Sequence, residues 1–489
     1  MNARLGIARP ATAPLPIAAC GAAIALVVGL AWAGSGAPLT PDMAWFAGAG
    51  LAIVLSLGYL AWQVNPAYIF AAAVVLSPLA GNWQALGVPG ALGLDRLLLV
   101  VAVSVVLLRE LLAERETRLR LEPVHWVLAA AVVYAAGSAL AAGTLTDNDS
   151  FFRLLQVYGL LPFLAFLTAP LVFRHRRDRE ILLIAFVGLG AYLGLTALFE
   201  TVGLDALVFP KYILNPNYGT HFGRARGPFV EAVTNGTGLY VCAVASAIAF
   251  TIWQRPGKRA LAASVGALCL LGTLLTLQRS VWLGTLLATI VAMLSIRELR
   301  RLMIPALAGG AVAVLAALAF VPGLAGHTQE RIGDQQTVQD RENANRAAIN
   351  MVESRPLFGF GWGEFKRKGI DYFQLSPDFP LTTTVVHNLF LGLAAELGLI
   401  GLTLWVIGFL LGVVTAMVAR PPPELRAWRT GLVAIGVFYL VVCNFVPPVV
   451  FPNLIIWLWA GVVWVGRTGA SEVEHATMAP PPEIAQVRL

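Results

Sequence analysis

Residues 388–418 read NLFLGLAAELGLIGLTLWVIGFLLGVVTAMV, with Glu396 as the one charged side chain in the stretch. A helix that crosses a bilayer needs about 20 consecutive, mostly apolar residues. This stretch exceeds that length, and the same pattern recurs along the chain. Reading outward from it gives fourteen candidate spans, near residues 16–34, 43–62, 66–80, 92–108, 123–143, 152–173, 180–202, 229–253, 259–277, 281–296, 302–322, 388–418, 429–447 and 452–466.

Composition supports this reading of the whole chain. The 489 residues are 58% hydrophobic and only 12% charged, and the mean hydropathy is +0.75. A soluble domain contains roughly 25% charged residues, and a disordered chain has low hydrophobicity. Both classes are therefore excluded, and so is a single membrane anchor on a soluble domain. The sequence predicts an all-α fold, a polytopic transmembrane helix bundle of 12–14 spans.

The distribution of basic residues predicts the orientation. Cytoplasmic loops of membrane proteins are enriched in Lys and Arg, and a cytoplasmic N-terminus places 21 of the 34 basic residues on that side. Both termini are then cytoplasmic, and we expect the first span to be retained. Seven more lie in one long outer loop, 323–386. Six lie in short outer loops, against the rule: Arg96, Arg153, Lys211, Arg224, Arg226 and Arg279.

Three of these six stand in unusual local sequence. Arg224 and Arg226 precede a span beside glycine and proline, where they could bind an anion or snorkel to lipid headgroups. Arg279 lies at the outer end of an apolar hairpin, where a charge is costly unless it is paired or wet. We favour a phosphate contact for Arg279, with a structural ion pair as the alternative.

The long outer loop contains two further signals. Residues 340–354 predict a helix that begins with a capping Asp340, with Ile349, Met351 and Val352 toward the protein and Arg341 and Arg346 toward a polar site. The segment 356–363, PLFGFGWG, follows no strand and predicts a tight turn with close backbone approach. Its Trp362 could stack on a sugar or belong to an aromatic belt at the membrane surface.

His387 begins the span quoted above, at the junction of the wet loop and the membrane. An imidazole in that place can act as a general base near neutral pH, with a capping or interfacial role as the alternative and His221 as the rival base. Glu396 lies about 180° around a helix from His387 and is a poor direct partner, so we expect a packing or ion-pairing role, with a polar group on another span. The chain has neither a Walker motif nor metal-type histidine spacing, and we expect no cofactor, no metal and no nucleic acid partner.

These motifs together resemble the O-antigen ligase and polymerase superfamily of bacterial membrane glycosyltransferases. The resemblance covers about residues 205–405. It rests on Arg224 and Arg226 before Gly-Pro-Phe, on Gln278-Arg279-Ser280, on 341–363, and on His387-Asn388 through Glu396-Leu-Gly-Leu-Ile-Gly401. One departure is that Val230-Glu-Ala follows where the family often has Pro-Asn.

The resemblance implies a transfer on the periplasmic face of the bacterial inner membrane. The donor would be a glycan on undecaprenyl diphosphate, and the acceptor would be lipid A–core for a ligase or a second lipid-linked repeat unit for a polymerase. The essential histidine of the family maps onto His387. Its essential arginines map onto Arg224 or Arg226, and onto Arg279, as a clamp on the diphosphate. The reaction would be metal-independent and would invert the anomeric carbon.

We lean toward a ligase, with the polymerase as the alternative, and two further readings remain open. A flippase or transporter of a lipid-linked sugar would need charges near the middle of several spans, and a peptidoglycan-type polymerase would need an outer-loop aspartate. The expected organisation is N-terminal spans over 1–204, a catalytic region over 205–405, C-terminal spans over 406–466 and a disordered cytoplasmic tail over 467–489.

Overall fold

A computed structural model describes residues 62–89, 93–112, 121–295, 300–301, 303–320, 336–374, 385–446 and 449–478. These residues form helices joined by short turns, and within them no strand occurs, which confirms the all-α prediction. The helices are α1 (Pro66–Leu76), α2 (Leu94–Leu112), α3 (Pro123–Ala142), α4 (Asn148–Phe152), α5 (Leu160–Val172), α6 (Arg176–Val202), α7 (Ala232–Ile252), α8 (Pro256–Leu275), α9 (Arg279–Ser295), α10 (Met303–Phe320), α11 (Gln336–Ser354), α12 (Phe365–Lys368), α13 (Leu389–Phe409), α14 (Thr415–Val418), α15 (Arg426–Val442) and α16 (Val450–Met478).

Among the described residues, seven helical segments are long and apolar enough to cross a membrane. They are Pro123–Ala142, Asn148–Val172, Arg176–Val202, Ala232–Ile252, Pro256–Leu275, Leu389–Val418 and Pro423–Val442. Shorter apolar helices occur at Pro66–Leu79, Arg279–Ser295, Met303–Val312 and Val450–Trp464. The candidate spans near 16–34 and 43–62 lie outside the described residues, except for Trp62, so the count of 12–14 stays a prediction.

Aromatic packing joins the N-terminal and C-terminal spans into one bundle. Trp457 of α16 contacts Phe163 of α5 and Phe409 of α13, with ring centroids 4.8 and 6.1 Å apart. Phe409 also stacks on Trp405, at 5.2 Å. Such offset and edge-to-face contacts stabilise a core beyond the burial of their area. Helix α13, which begins in the predicted region 205–405, is therefore packed against α16, and α16 is packed against α5.

Local sequence determines where several helices begin. Asn65 precedes Pro66 and its side chain accepts a hydrogen bond from the Ala67 amide, so α1 begins with a cap and a proline at its first position. The Asn388 carboxamide oxygen accepts from the Leu391 amide at 3.1 Å and starts α13 in the same way. This cap places His387 just outside the helix.

Three expectations about chain segments need correction. Helix α11 begins at Gln336, so Asp340 lies inside the helix and does not cap it. Its buried face is Ala344, Ala347, Ala348 and Met351, a spacing of one helical face that leaves Ile349 exposed. Helix α16 continues to Met478, into the tail predicted to be disordered, because helix-forming Ala and Glu residues follow Gly469 and the next prolines are 480–482.

Candidate active site

A cavity of about 940 Å³ lies where the ends of several helices meet. We call it the central cavity. The first turns of α2, α7, α13 and α16 contribute to its lining, so four helix N-termini with their partial positive charge face this region. Its polar lining includes Ser77, Gln84, Arg96, Asn148, Asp149, Arg153, Gln156, Tyr158, Thr220, His221, Glu231, Thr234, Asp340, Arg341, Lys366, His387 and Glu396.

His387 lines the central cavity and is held in one tautomer. Its Nδ1 lies 2.8 Å from the carbonyl oxygen of Val385. Because a carbonyl oxygen can only accept, Nδ1 carries the proton and donates it, and the lone pair of the neutral ring is on Nε2. Burial lowers the pKa of His387, and the nearby Arg341 charge lowers it further. Both effects favour the neutral imidazole, which is the form that can accept a proton.

Helix α11 brings a charged pair to the same wall. Asp340 and Arg341 both line the cavity, and their charges act on the pKa of His387 in opposite directions, with the effect of Arg341 the larger. Arg346 lies further along the helix, is exposed, and pairs with Glu342 at 2.6 Å. Of the two arginines predicted to face a polar site, the structure therefore brings only Arg341 to the cavity.

Of the packing and ion-pairing roles that the sequence left open for Glu396, the structure shows an ion pair with another span. Its carboxylate accepts from Nη1 and Nη2 of Arg153 at 3.3 and 3.2 Å, and only 3% of its side chain is exposed. The Arg153 guanidinium also lies over the Trp362 ring, 4.8 Å from the centroid. This charge therefore ties α13 to the segment 153–158, which has π-helical geometry, a feature frequent at functional sites.

The glycine-rich segment approaches a break in α13 closely, as the sequence predicted. Gly398 has φ +68°, outside helical geometry. The Leu399 amide donates to the Pro356 carbonyl at 2.8 Å, and the Gly361 amide donates to the Glu396 carbonyl at 2.9 Å. A Cβ on Gly359 would lie 2.5 Å from that same carbonyl oxygen. The segment thus supplies the hydrogen bonds that the broken helix lacks, as non-helical backbone at membrane depth requires.

Trp362 does not offer an open stacking face, in contrast to the proposed contact with a sugar. It is 1% exposed, its indole N–H donates to the Ser150 carbonyl at 2.9 Å, and Arg153 covers the ring. It lines the cavity as a packed wall. His221 also lines the cavity, with its Nδ1 3.1 Å from the Thr220 hydroxyl.

The structure separates the three arginines predicted to hold the diphosphate. Arg226 is 1% exposed, and it donates through Nε and both Nη atoms to the carbonyls of Ile213, Asn215 and Tyr218 at 2.6–3.2 Å. Arg226 therefore holds the backbone of its own loop, and its donors are not available to a diphosphate. Arg224 is half-buried and Arg279 is exposed, and neither is among the residues that line the central cavity.

The cavity contains functional groups to which sequence reasoning gave no role. Arg96 and Arg153 were visible as basic residues in short outer loops. Glu231 caps α7 by accepting from the Thr234 amide at 3.2 Å, and burial raises the pKa of its carboxyl. The sequence also contains an Asp-x-Asp pair, Asp147 and Asp149, although the expectation of no metal assumed that it has none.

Both carboxylates of that pair have partners within the protein. Asp147 accepts from the Ser150 hydroxyl at 2.8 Å. Asp149 lines the cavity and pairs with Lys366 at 2.8 Å. The pair therefore connects the start of α4 with α12.

Comparison with known proteins finds a family that matches part of the chain. Residues 264–406 match the family model described as O-Antigen ligase. This segment runs from α8 into α13 and includes Arg279, Arg341, His387 and Glu396. No curated protein matches the chain.

The chain is a multi-pass membrane protein in which the segment 264–406 is similar to the O-antigen ligase family. This match confirms the resemblance read from the sequence.

Proposed function

We propose that this protein transfers a glycan from undecaprenyl diphosphate to an acceptor hydroxyl on the periplasmic face of the inner membrane. The observation that carries the proposal is the tautomer of His387: Nδ1 donates to Val385, so Nε2 has the lone pair, inside a cavity large enough for sugar residues. The family match over 264–406, which contains this histidine, supports the reaction class.

The mechanism is a direct displacement with His387 as general base. Nε2 of His387 takes the proton of the acceptor hydroxyl as its oxygen attacks the anomeric carbon of the donor sugar. The bond between that carbon and the diphosphate oxygen breaks, and undecaprenyl diphosphate leaves with the electron pair. The new glycosidic bond forms on the face opposite the leaving group, so the configuration inverts. The proton then passes from the imidazolium to water.

Positive charge at the cavity offsets the charge that grows on the leaving diphosphate. Fixed cations and helix N-termini stabilise a transition state when they are in place before the charge develops. Arg341 stands beside His387 on the cavity wall, and the four helix N-termini add to the potential. We therefore assign the first role in leaving-group stabilisation to Arg341, and leave Arg224 and Arg279 as candidates for holding the donor before it enters.

The acceptor distinguishes the two members of the class. We favour lipid A–core, which defines a ligase, and a second lipid-linked repeat unit would define a polymerase. Purified protein with an undecaprenyl-diphosphate glycan and each acceptor in turn separates them by the mass of the product. A carrier that crosses the membrane without a new glycosidic bond would instead indicate a flippase.

The test of the general base is the variant His387→Ala. Loss of a general base costs about 10²- to 10⁴-fold in rate, and we expect turnover to fall by that factor while the thermal unfolding of the protein in detergent is unchanged. His221→Ala is the comparison inside the same cavity, and His175→Ala, exposed before α6, is the matched control. Near-normal turnover of a folded His387→Ala protein would remove the proposed base, and a large loss in His221→Ala alone would transfer the role to His221.

A further inference from the structure

Arg96 is a buried arginine, and two of its guanidinium nitrogens have no hydrogen-bond partner among the described residues. It lies in the first turn of α2, is 7% exposed, and lines the central cavity. Within the part of the chain that the structure describes, its Nε and Nη1 atoms are buried without a hydrogen-bond partner. Buried guanidinium groups are normally fully hydrogen-bonded, because an unpaired charged donor pays its desolvation cost without compensation.

The surroundings hold the side chain in place without satisfying it. The guanidinium carbon lies 4.1 Å from the centroid of the Phe152 ring, which restricts its position from one face. Its neighbour Asp95 is engaged elsewhere: one carboxylate oxygen accepts from the Trp83 indole at 2.7 Å and the other from the Gln156 amide at 3.5 Å. The acid nearest in sequence therefore does not consume the Arg96 donors.

Arg226 shows how this protein satisfies a buried arginine that has a structural role. At 1% exposure, Arg226 donates from all three guanidinium nitrogens to three backbone carbonyls. Arg96 is nearly as buried, but its guanidinium lies over the Phe152 ring, and its Nε and Nη1 have no such acceptors among the described residues. The difference favours an acceptor that reaches Arg96 through the cavity that it lines.

We propose that Arg96 forms an oxyanion-binding site in the central cavity, which binds a phosphate or carboxylate group of the substrate. The guanidinium fork matches the paired oxygens of either group. Two sources could supply that chemistry, the diphosphate of the donor or the carboxylate of an acidic sugar in the glycan. The identity of the substrate in this inference rests on the proposed function, but the presence of the oxyanion-binding site does not.

The experiment compares Arg96→Gln with the wild-type protein on two donors. One is undecaprenyl diphosphate carrying a neutral trisaccharide, and the other carries the same trisaccharide with one hexuronic acid. Loss of a charge-assisted hydrogen bond weakens binding by about 10- to 100-fold. If KM of Arg96→Gln is raised for both donors, the site binds the diphosphate. If it is raised only for the acidic donor, the site binds the carboxylate.

Controls separate binding from folding. Arg109→Gln lies at the other end of the same helix, where Arg109 donates to the Trp62 carbonyl at 2.6 Å, and its KM should equal that of the wild type. Arg96→Gln should unfold at the same temperature as the wild type or higher, because the donors it removes are unpaired. If Arg96→Gln does not fold, Arg96→Lys replaces it. Lysine keeps the charge but loses the fork, and KM should rise by a smaller factor.

A binding measurement keeps this proposal separate from the proposed function. Inorganic pyrophosphate or glucuronate should raise the unfolding temperature of the wild type, and one of the two should have a much smaller effect on Arg96→Gln. If the wild type turns over neither donor, the proposed function fails, while the shift in unfolding temperature still tests the oxyanion-binding site. Unchanged KM for both donors, or equal thermal shifts for both anions where turnover is absent, would overturn the proposal.

Discussion

The ion pair between Arg153 and Glu396 gives the sharpest stability prediction. We consider Glu396→Gln, which keeps the shape of the side chain and removes its charge. Two N–O contacts of 3.2 and 3.3 Å are then weakened, and Arg153 is left beside a neutral amide. The same carboxylate accepts from the Phe365 amide at 3.4 Å. The variant therefore perturbs the contact of α13 with both α12 and the segment 153–158.

The magnitude follows from burial. Removing one partner of a buried ion pair costs about 3–5 kcal/mol, since the remaining charge is uncompensated. Arg153 is 27% exposed and keeps its contact with the Trp362 ring, which reduces that cost. We expect the free energy of unfolding to fall by about 2–3 kcal/mol.

Equilibrium unfolding in mixed detergent micelles measures this loss, with Arg153→Met and the double variant completing a cycle. The double variant should lose less free energy of unfolding than the sum of the two single losses, because neither charge of the pair remains in it without its partner. The matched control is Glu342→Gln, which breaks the exposed pair with Arg346 and should cost about 0.2–1 kcal/mol. A Glu396→Gln protein as stable as the wild type, with additive losses in the cycle, would refute the reasoning.

Four further outcomes follow from the site. The acidic limb of kcat/KM should have its midpoint below about 6.5, the ordinary pKa of histidine, because burial and Arg341 lower the pKa of His387. Arg341→Gln removes one of these causes, so the pKa of His387 should rise and the acidic limb should move to higher pH. If the limb does not move, it reports the titration of another group. Turnover should also fall further in Arg341→Ala than in Arg279→Ala, since only Arg341 lines the cavity, and the reverse order would restore the assignment made from sequence. Gly398→Ala should lower the free energy of unfolding by about 1–3 kcal/mol, because φ is +68° and the added Cβ would overlap the Leu357 carbonyl. At the control position Gly137 an added Cβ meets open space, so Gly137→Ala should be neutral or slightly stabilising. Turnover should persist in EDTA, and a requirement for a divalent cation would contradict the mechanism.

The sequence by itself determined the architecture. Apolar runs report span length directly, because the thickness of the bilayer sets how many residues a helix needs to cross it. Residues 388–418 therefore predicted a span, and the helical segment Leu389–Val418 meets the criteria of length and hydropathy. Helical periodicity also predicted that Glu396 faces away from His387 and has a packing or ion-pairing role with another span. It could not name Arg153, because that contact joins residues 243 positions apart.

Only the tertiary structure decided what each outer basic residue does. Arg96 and Arg226 look alike in sequence, both being basic residues in short outer loops. Their roles differ because Arg226 is surrounded by the carbonyls of its own loop, whereas Arg96 faces a ring and a cavity. The break at Gly398 was hidden for the same reason: its hydrogen bonds come from Pro356 and Leu357, about forty residues away. Hydropathy is a property of each residue, but the satisfaction of a donor or acceptor depends on which distant backbone the fold brings to it.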